Sequence, residues 1–292
     1  MKSSALSAIL LAGAVHGLVL PPAFAQDTPP AAPAPANGQQ PDPGKIPEDL
    51  LEEEHMLTEL GVNEFTVPSI AKLFETLQFL MPIPLADAKR ELPVQPTSDR
   101  ANLAIELGFL IADGFLIVQA GQMDKVEDLA TQMNKYGKAL GIGERVNRHA
   151  QPMLEHAKKN EIEQLKKELS NMQGDVQAEL VRLKDVDLPH LISLGGWIRA
   201  LEVSSVAVDK QFSEERAAKI MREDIADYYT ESITWLEPGI SERANFLAMR
   251  DILAGMRSEM VIGEDQQPTK EQVAEIRAKA KELADLALKR SR

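Results

Sequence analysis

Two stretches of this chain, 101–120 and 188–208, are apolar on every side of a helical wheel. Most other segments carry apolar residues on one face only. A helix with no polar face must be surrounded by other helices, whereas a one-sided pattern belongs to the shell around them. The spacing predicts helices over 47–60, 67–81, 99–121, 124–140, 144–185 (with a kink near Pro152), 188–210, 213–235, 241–260 and 269–290. A proline-punctuated connection, 82–96, separates the second from the third. Thr269 with Gln272 three residues on has the spacing of a capping box. No stretch alternates with period two long enough to make a strand. The expected fold is all-α, a multi-helix bundle of about eight or nine helices around the two central apolar helices 99–121 and 188–210.

Residues Ile162, Leu165, Leu169, Met172, Val176, Leu180 and Leu183 form a nearly heptad seam, so their helix should lie along a partner at a shallow angle. The seam spans only about three heptads, which fits a packed bundle helix better than a free coiled coil.

The two central segments resemble each other. Gly108-Phe109-Leu110 aligns with Gly196-Trp197-Ile198, and Ala112 with Ala200, at an offset of 88 positions. Ala104, Gly108 and Ala112 form one row of small residues, and Gly196, Ala200 and Ser204 form another. Such rows lie on one side of a helix and let two backbones approach closely. The expectation is an internal duplication whose central helices cross near Gly108 and Gly196, with Gly195 serving the same crossing or relaxing the helix.

Composition adds an address. Lys2, an apolar stretch from Ala5 to Leu20 and an Ala23-x-Ala25 site read as a cleaved signal peptide, residues 1–25. Residues 26–48 are rich in proline and alanine and read as a disordered linker, leaving 49–292 as the helical domain. The chain has no cysteine, which excludes disulfides, thiolate chemistry and the lipid anchor of a bacterial lipoprotein. The net charge is −13, or −14 once Lys2 leaves with the signal. That balance argues against nucleic acid, whose phosphates require clustered cations. Glu106 and Asp113 interrupt the first apolar segment, where a membrane span would hold them at great cost. The protein is therefore expected to be periplasmic or secreted, with no membrane span.

Candidate chemistry centres on those two carboxylates. Glu106 and Asp113 share a helix face in apolar surroundings, where an unpaired charge is prohibitive. The other central helix supplies Arg199. The structural expectation is an ion pair of Arg199 with Asp113 or Glu106, shared with Glu202. The functional expectation is a pocket bordered by Glu106, Asp113, Trp197 and Arg199 that orients a polar ligand. His149 and His156 could share a face. Glu52-x-x-His55 is half of a di-iron signature, for which Asp187-x-x-His190 is a poor second half. Ser69-x-x-Lys72 lacks the companion motifs of the serine enzymes that use it. No cofactor, metal site or catalytic residue is assigned. The expected role is a non-catalytic module that binds a protein partner or small ligand; the rival is a metal-binding or enzymatic bundle using Glu106 and Asp113.

Overall fold

The computed structural model describes residues 70–84, 86–92 and 95–290. The expected signal peptide, the linker, the 47–60 helix, the Glu52-x-x-His55 motif and Ser69 lie outside the described residues. Among the described residues there is no strand, and the protein is an all-α multi-helix bundle.

Its elements are α1 (Ile70–Phe79), α2 (Arg100–Gln119), α3 (Val126–Leu140), α4 (Gly143–Lys158), α5 (Ile162–Arg182), α6 (Asp187–Lys210), α7 (Glu214–Ala218), α8 (Glu223–Trp235), α9 (Pro238–Ser241), α10 (Ala244–Met260) and α11 (Lys270–Ala287). The central pair is α2 and α6. Each is long and apolar enough to cross a bilayer, yet 89% and 100% of their most apolar windows are buried inside the protein. Asp99 caps α2, its carboxylate accepting from the backbone N–H of Asn102 at 3.0 Å. The two helices run in the same direction. Arg100 at the start of α2 pairs with Asp185 just before α6, and Asp113 further along pairs with Arg199 further along.

Each central helix is followed by an excursion that returns to it. After α2 the chain passes through α3, which packs on α2 and α4, then α4, then α5, which packs back on α2. After α6 it passes through α8, α10 and α11, each against the next, and α11 packs back on α6. A fully buried tyrosine on the first long helix of each excursion bonds its own central helix: Tyr136 to Glu106, and Tyr229 to Ser193 at 2.8 Å. Ser193 stands one position short of the 88-residue offset from Glu106. α1 lies across the pair, with Ile70, Leu77 and Leu80 buried.

Two predicted helices are divided. The 144–185 segment breaks at Lys159–Glu161, where Asn160 adopts φ +55°, and α4 and α5 fold against each other. Asparagine tolerates this left-handed conformation, so no glycine or proline marks the reversal. Pro152 stays inside α4 without ending it. The 213–235 segment divides into α7 and α8, while 241–260 is α10, with the short α9 just ahead of it. The α5 seam is buried from Leu165 through Leu180, but Leu183 lies past the helix end and is exposed. The capping box on α11 is formed by Thr269 and Gln272.

Candidate functional site

The crossing of α2 and α6 sets the geometry of everything near it. A Cβ added at Gly108 would stand 2.0 Å from the carbonyl oxygen of Ile192 and 2.8 Å from the backbone nitrogen of Gly196. One added at Gly195 would stand 2.2 Å from the carbonyl oxygen of Ile105. Backbone meets backbone here, and only glycine fits at either position. Gly196 serves differently. Its added Cβ would strike Ile70 of α1, 2.4 Å from Cδ1, while the Gly108 carbonyl lies at 3.5 Å. Consecutive helical residues point about 100° apart, so the adjacent glycines open two sides of α6 to two different neighbours.

This corrects the expected pairing of small-residue rows. On α2 the row Ala104, Gly108 and Ala112 is buried, and Gly108 makes the contact with α6. On α6 the side toward α2 carries Ile192, Gly195 and Arg199 rather than the row Gly196, Ala200 and Ser204. Ala200 and Ser204, with Trp197, Thr76 and Leu77, line a cavity of about 30 Å³ between α6, α1 and the start of α8. That is room for about one water molecule.

Beyond the crossing, Arg199 reaches across to Asp113. Its Nε donates to Asp113 at 2.7 Å and its Nη1 to Glu202, also at 2.7 Å. Glu202 in turn accepts from Arg90, from Nε at 3.0 Å and from Nη2 at 2.5 Å. Arg90 continues to Asp285 on α11 at 2.9 Å, and Lys281 donates to Asp285 at 2.8 Å. Six side chains of alternating sign thus run from α2 to α11 with no formal charge left over. Burial works against the charge on Arg90, but its bonds to Glu202 and Asp285 outweigh that and hold its pKa above the ordinary value. For Asp113 the balance goes the other way: burial raises its pKa, and Arg199 opposes the rise only in part. Its side chain retains 21% of its surface.

Glu106 takes a separate partner. It is 1% exposed, and Arg290 grips it with Nε at 2.9 Å and Nη2 at 3.0 Å. That bidentate fork is the strong form of a charged hydrogen bond. Arg290 also donates to the carbonyl of Gln95 at 2.6 Å. Burial and the neighbouring Glu106 carboxylate both push the Tyr136 phenol upward, so it stays a neutral donor to Glu106.

The four residues expected around one pocket therefore do not converge. Arg199 joins Asp113 and Glu202, Glu106 belongs to Arg290, and Trp197 turns toward α1 and α8. There its ring packs at a tilt of 36° against Tyr229, with centroids 5.1 Å apart. The open spaces lie outside the central pair, on either side of the 89–91 strap that carries Arg90. One cleft of about 600 Å³ reaches Glu202, Asp209 and α11. The other, of about 640 Å³, reaches Asp113, Ile117 and α3. Sequence reasoning missed Arg90 and Arg290, which sit in a non-periodic connection and beyond the last helix.

The histidines are also dispersed. His149 lies between Glu168 at 2.7 Å and Asp175 at 3.1 Å, tying α4 to α5, while His156 contacts Glu161 at 2.6 Å. His190 contacts the Tyr228 hydroxyl, and Asp187 accepts from the backbone N–H of Glu237. Among the described residues no group of three or more potential ligands is gathered for a metal ion. In comparisons with known proteins, no family model, no curated sequence and no solved structure matches this chain.

Proposed function

We propose that this protein is an exported, non-catalytic binding module of the bacterial envelope, and that what it binds is a protein partner. The observation that carries the reading is the pairing of the central acids. Asp113, Glu202 and Glu106 each accept a hydrogen bond from an arginine, and Arg199 spans the central helices to reach Asp113. A carboxylate gripped on both oxygens by a guanidinium, as Glu106 is by Arg290, is a poor general base, and neutralised pairs of this kind serve mainly to position helices. Sparse aromatics and the acidic balance of the chain support a protein partner over sugar or nucleic acid.

The rival reading, a metal-dependent or enzymatic bundle, draws on Asp113, which keeps part of its surface on the larger cleft. Metal analysis of the purified protein, with thermal unfolding in magnesium, manganese and zinc, separates the two. The proposal expects no stoichiometric metal and no rise in melting temperature. A stoichiometric ion, or a stabilisation of several degrees at modest concentration, would overturn it in favour of the rival.

A further inference from the structure

The chain has two tryptophans, and they have opposite surroundings. Trp197 is 3% exposed in the core, while Trp235 is 83% exposed at the last position of α8. Clustered apolar side chains left in water mark interaction surfaces, and tryptophan, with tyrosine and arginine, is enriched among the anchors of such surfaces.

Trp235 has apolar company. Three contacts tie α8 and the residues after it to the start of α6: the Tyr229 and Ser193 hydroxyls meet at 2.8 Å, His190 meets Tyr228 at 3.0 Å, and Glu237 donates its N–H to Asp187 at 3.1 Å. The Glu237–Asp187 contact places Trp235, two residues before Glu237, at the end of the bundle that also carries Val186, 38% exposed, and Leu183, 42% exposed. Leu183 is turned outward because α5 ends at Arg182 and the chain reverses through Lys184, at φ +63°.

The unpaired charges at this end are mostly acidic, with the exposed Lys184 between Leu183 and Val186 as a cation among them. Glu231 lies one turn before Trp235 on the same face of α8, Glu237 lies two residues after it, and Asp187 faces the Glu237 backbone. None of these three carboxylates pairs with a cation among the described residues, in contrast to the acids at the centre. The arginines nearby are already engaged, Arg100 with Asp185 and Arg243 with Asp99.

We propose that this end of the bundle is a docking surface for a basic protein segment, an amphipathic stretch whose apolar residues receive the Trp235 indole while its lysines or arginines meet Glu231, Glu237 and Asp187. The inference rests on the protein-partner reading above and names its surface and its charge. A second copy of this chain would bring the same acids face to face, and an anionic bilayer would be repelled by them.

The test uses tryptophan fluorescence of the full chain. In the free protein, acrylamide should quench one tryptophan and spare the other, and Trp235→Phe should remove the quenchable one. The probe is an amphipathic leucine–lysine peptide, with a leucine–glutamate peptide of equal length and phosphatidylglycerol–phosphatidylcholine vesicles as controls. The lysine peptide should shift the Trp235 emission to the blue and protect it from acrylamide. Its affinity, read for every variant by isothermal titration calorimetry because Trp235→Ala loses the fluorescent reporter, should fall about tenfold or more in Trp235→Ala and in Glu231→Lys/Glu237→Lys, and should also fall with added salt. Both variants alter exposed residues, so unchanged melting temperatures would show that the fold is intact. The proposal is overturned if the free chain already shields Trp235, if the glutamate peptide binds as well, or if Trp235→Ala binds unchanged. A blue shift produced only by vesicles, or only by raising the protein concentration, would overturn it too, giving the surface to a membrane or to a second copy. None of these outcomes alters the metal analysis that tests the proposed function.

Discussion

Arg199 donates from Nε to Asp113 at 2.7 Å, so one guanidinium on α6 locks the far side of a crossing that Gly108 and Gly195 bring to backbone contact. The two features depend on each other. Close approach of the backbones brings Asp113 within reach, and the remaining bonds of Arg199 to Glu202, and of Glu202 to Arg90, keep the buried charges satisfied. A buried ion pair is not in itself a strong stabiliser, because desolvation opposes the attraction. What it adds is a requirement for one register of α2 against α6.

The raised pKa of Asp113 predicts a pH dependence with a definite sign. Because burial lifts the folded-state value above the unfolded one, the folded protein binds the extra proton. Between the two values stability therefore falls as pH rises. Asp113→Asn removes this titration, so the variant should gain on the wild type as pH goes from below the usual carboxylate range toward neutral. Chemical denaturation of both proteins across that range measures the difference. A gap that moves the opposite way would show that Arg199 holds Asp113 below its ordinary pKa.

Arg290→Met leaves Glu106 buried without its bidentate partner. Breaking one side of a buried pair typically costs about 3–5 kcal/mol, and a loss near the lower figure is expected because Tyr136 still donates. Glu106→Leu added to Arg290→Met should recover much of that loss. Equilibrium unfolding of the single and double variants checks both statements. A single variant as stable as the wild type would show that Arg290 is not seated on Glu106.

The adjacent glycines should respond differently to alanine. At Gly195 the new methyl meets a carbonyl that cannot move without the helix, whereas at Gly196 it meets the far end of the Ile70 side chain. Gly196→Ala should be the milder change, and its cost should shrink further in an Ile70→Ala background. Gly195→Ala should be insensitive to Ile70. Two thermal-unfolding cycles over these six proteins, wild type and Ile70→Ala being shared, read the coupling directly.

Much of the centre was legible in the sequence, for identifiable reasons. α2 and α6 announced themselves because a helix with no polar face has to be enclosed. Arg199, Asp113 and Glu202 stood out as the few charges within those runs. The fate of Glu106 was not legible, since Arg290 lies beyond α11 and Arg90 in a connection with no period to read. The break at Asn160 was equally hidden, because a left-handed asparagine leaves no stronger mark than any polar residue between two amphipathic stretches. Side-chain row logic placed Gly196, Ala200 and Ser204 against the wrong neighbour. Period alone cannot say which of two flanking helices a small-residue row will receive.

The most direct measurement of the central claim, that α2 and α6 touch backbone to backbone, compares Gly108→Ala with Gly174→Ala by thermal and denaturant unfolding. Gly174 is a helical glycine with nothing within 4 Å of an added Cβ, so alanine there should stabilise α5 by about 0.5–1 kcal/mol. At Gly108 the same methyl enters the Ile192 carbonyl, and a loss of about 3 kcal/mol or more is expected, lowering the melting temperature by roughly 10 °C. If Gly108→Ala is as well tolerated as Gly174→Ala, the central helices do not meet there, and the crossing with its Asp113–Arg199 lock is wrong.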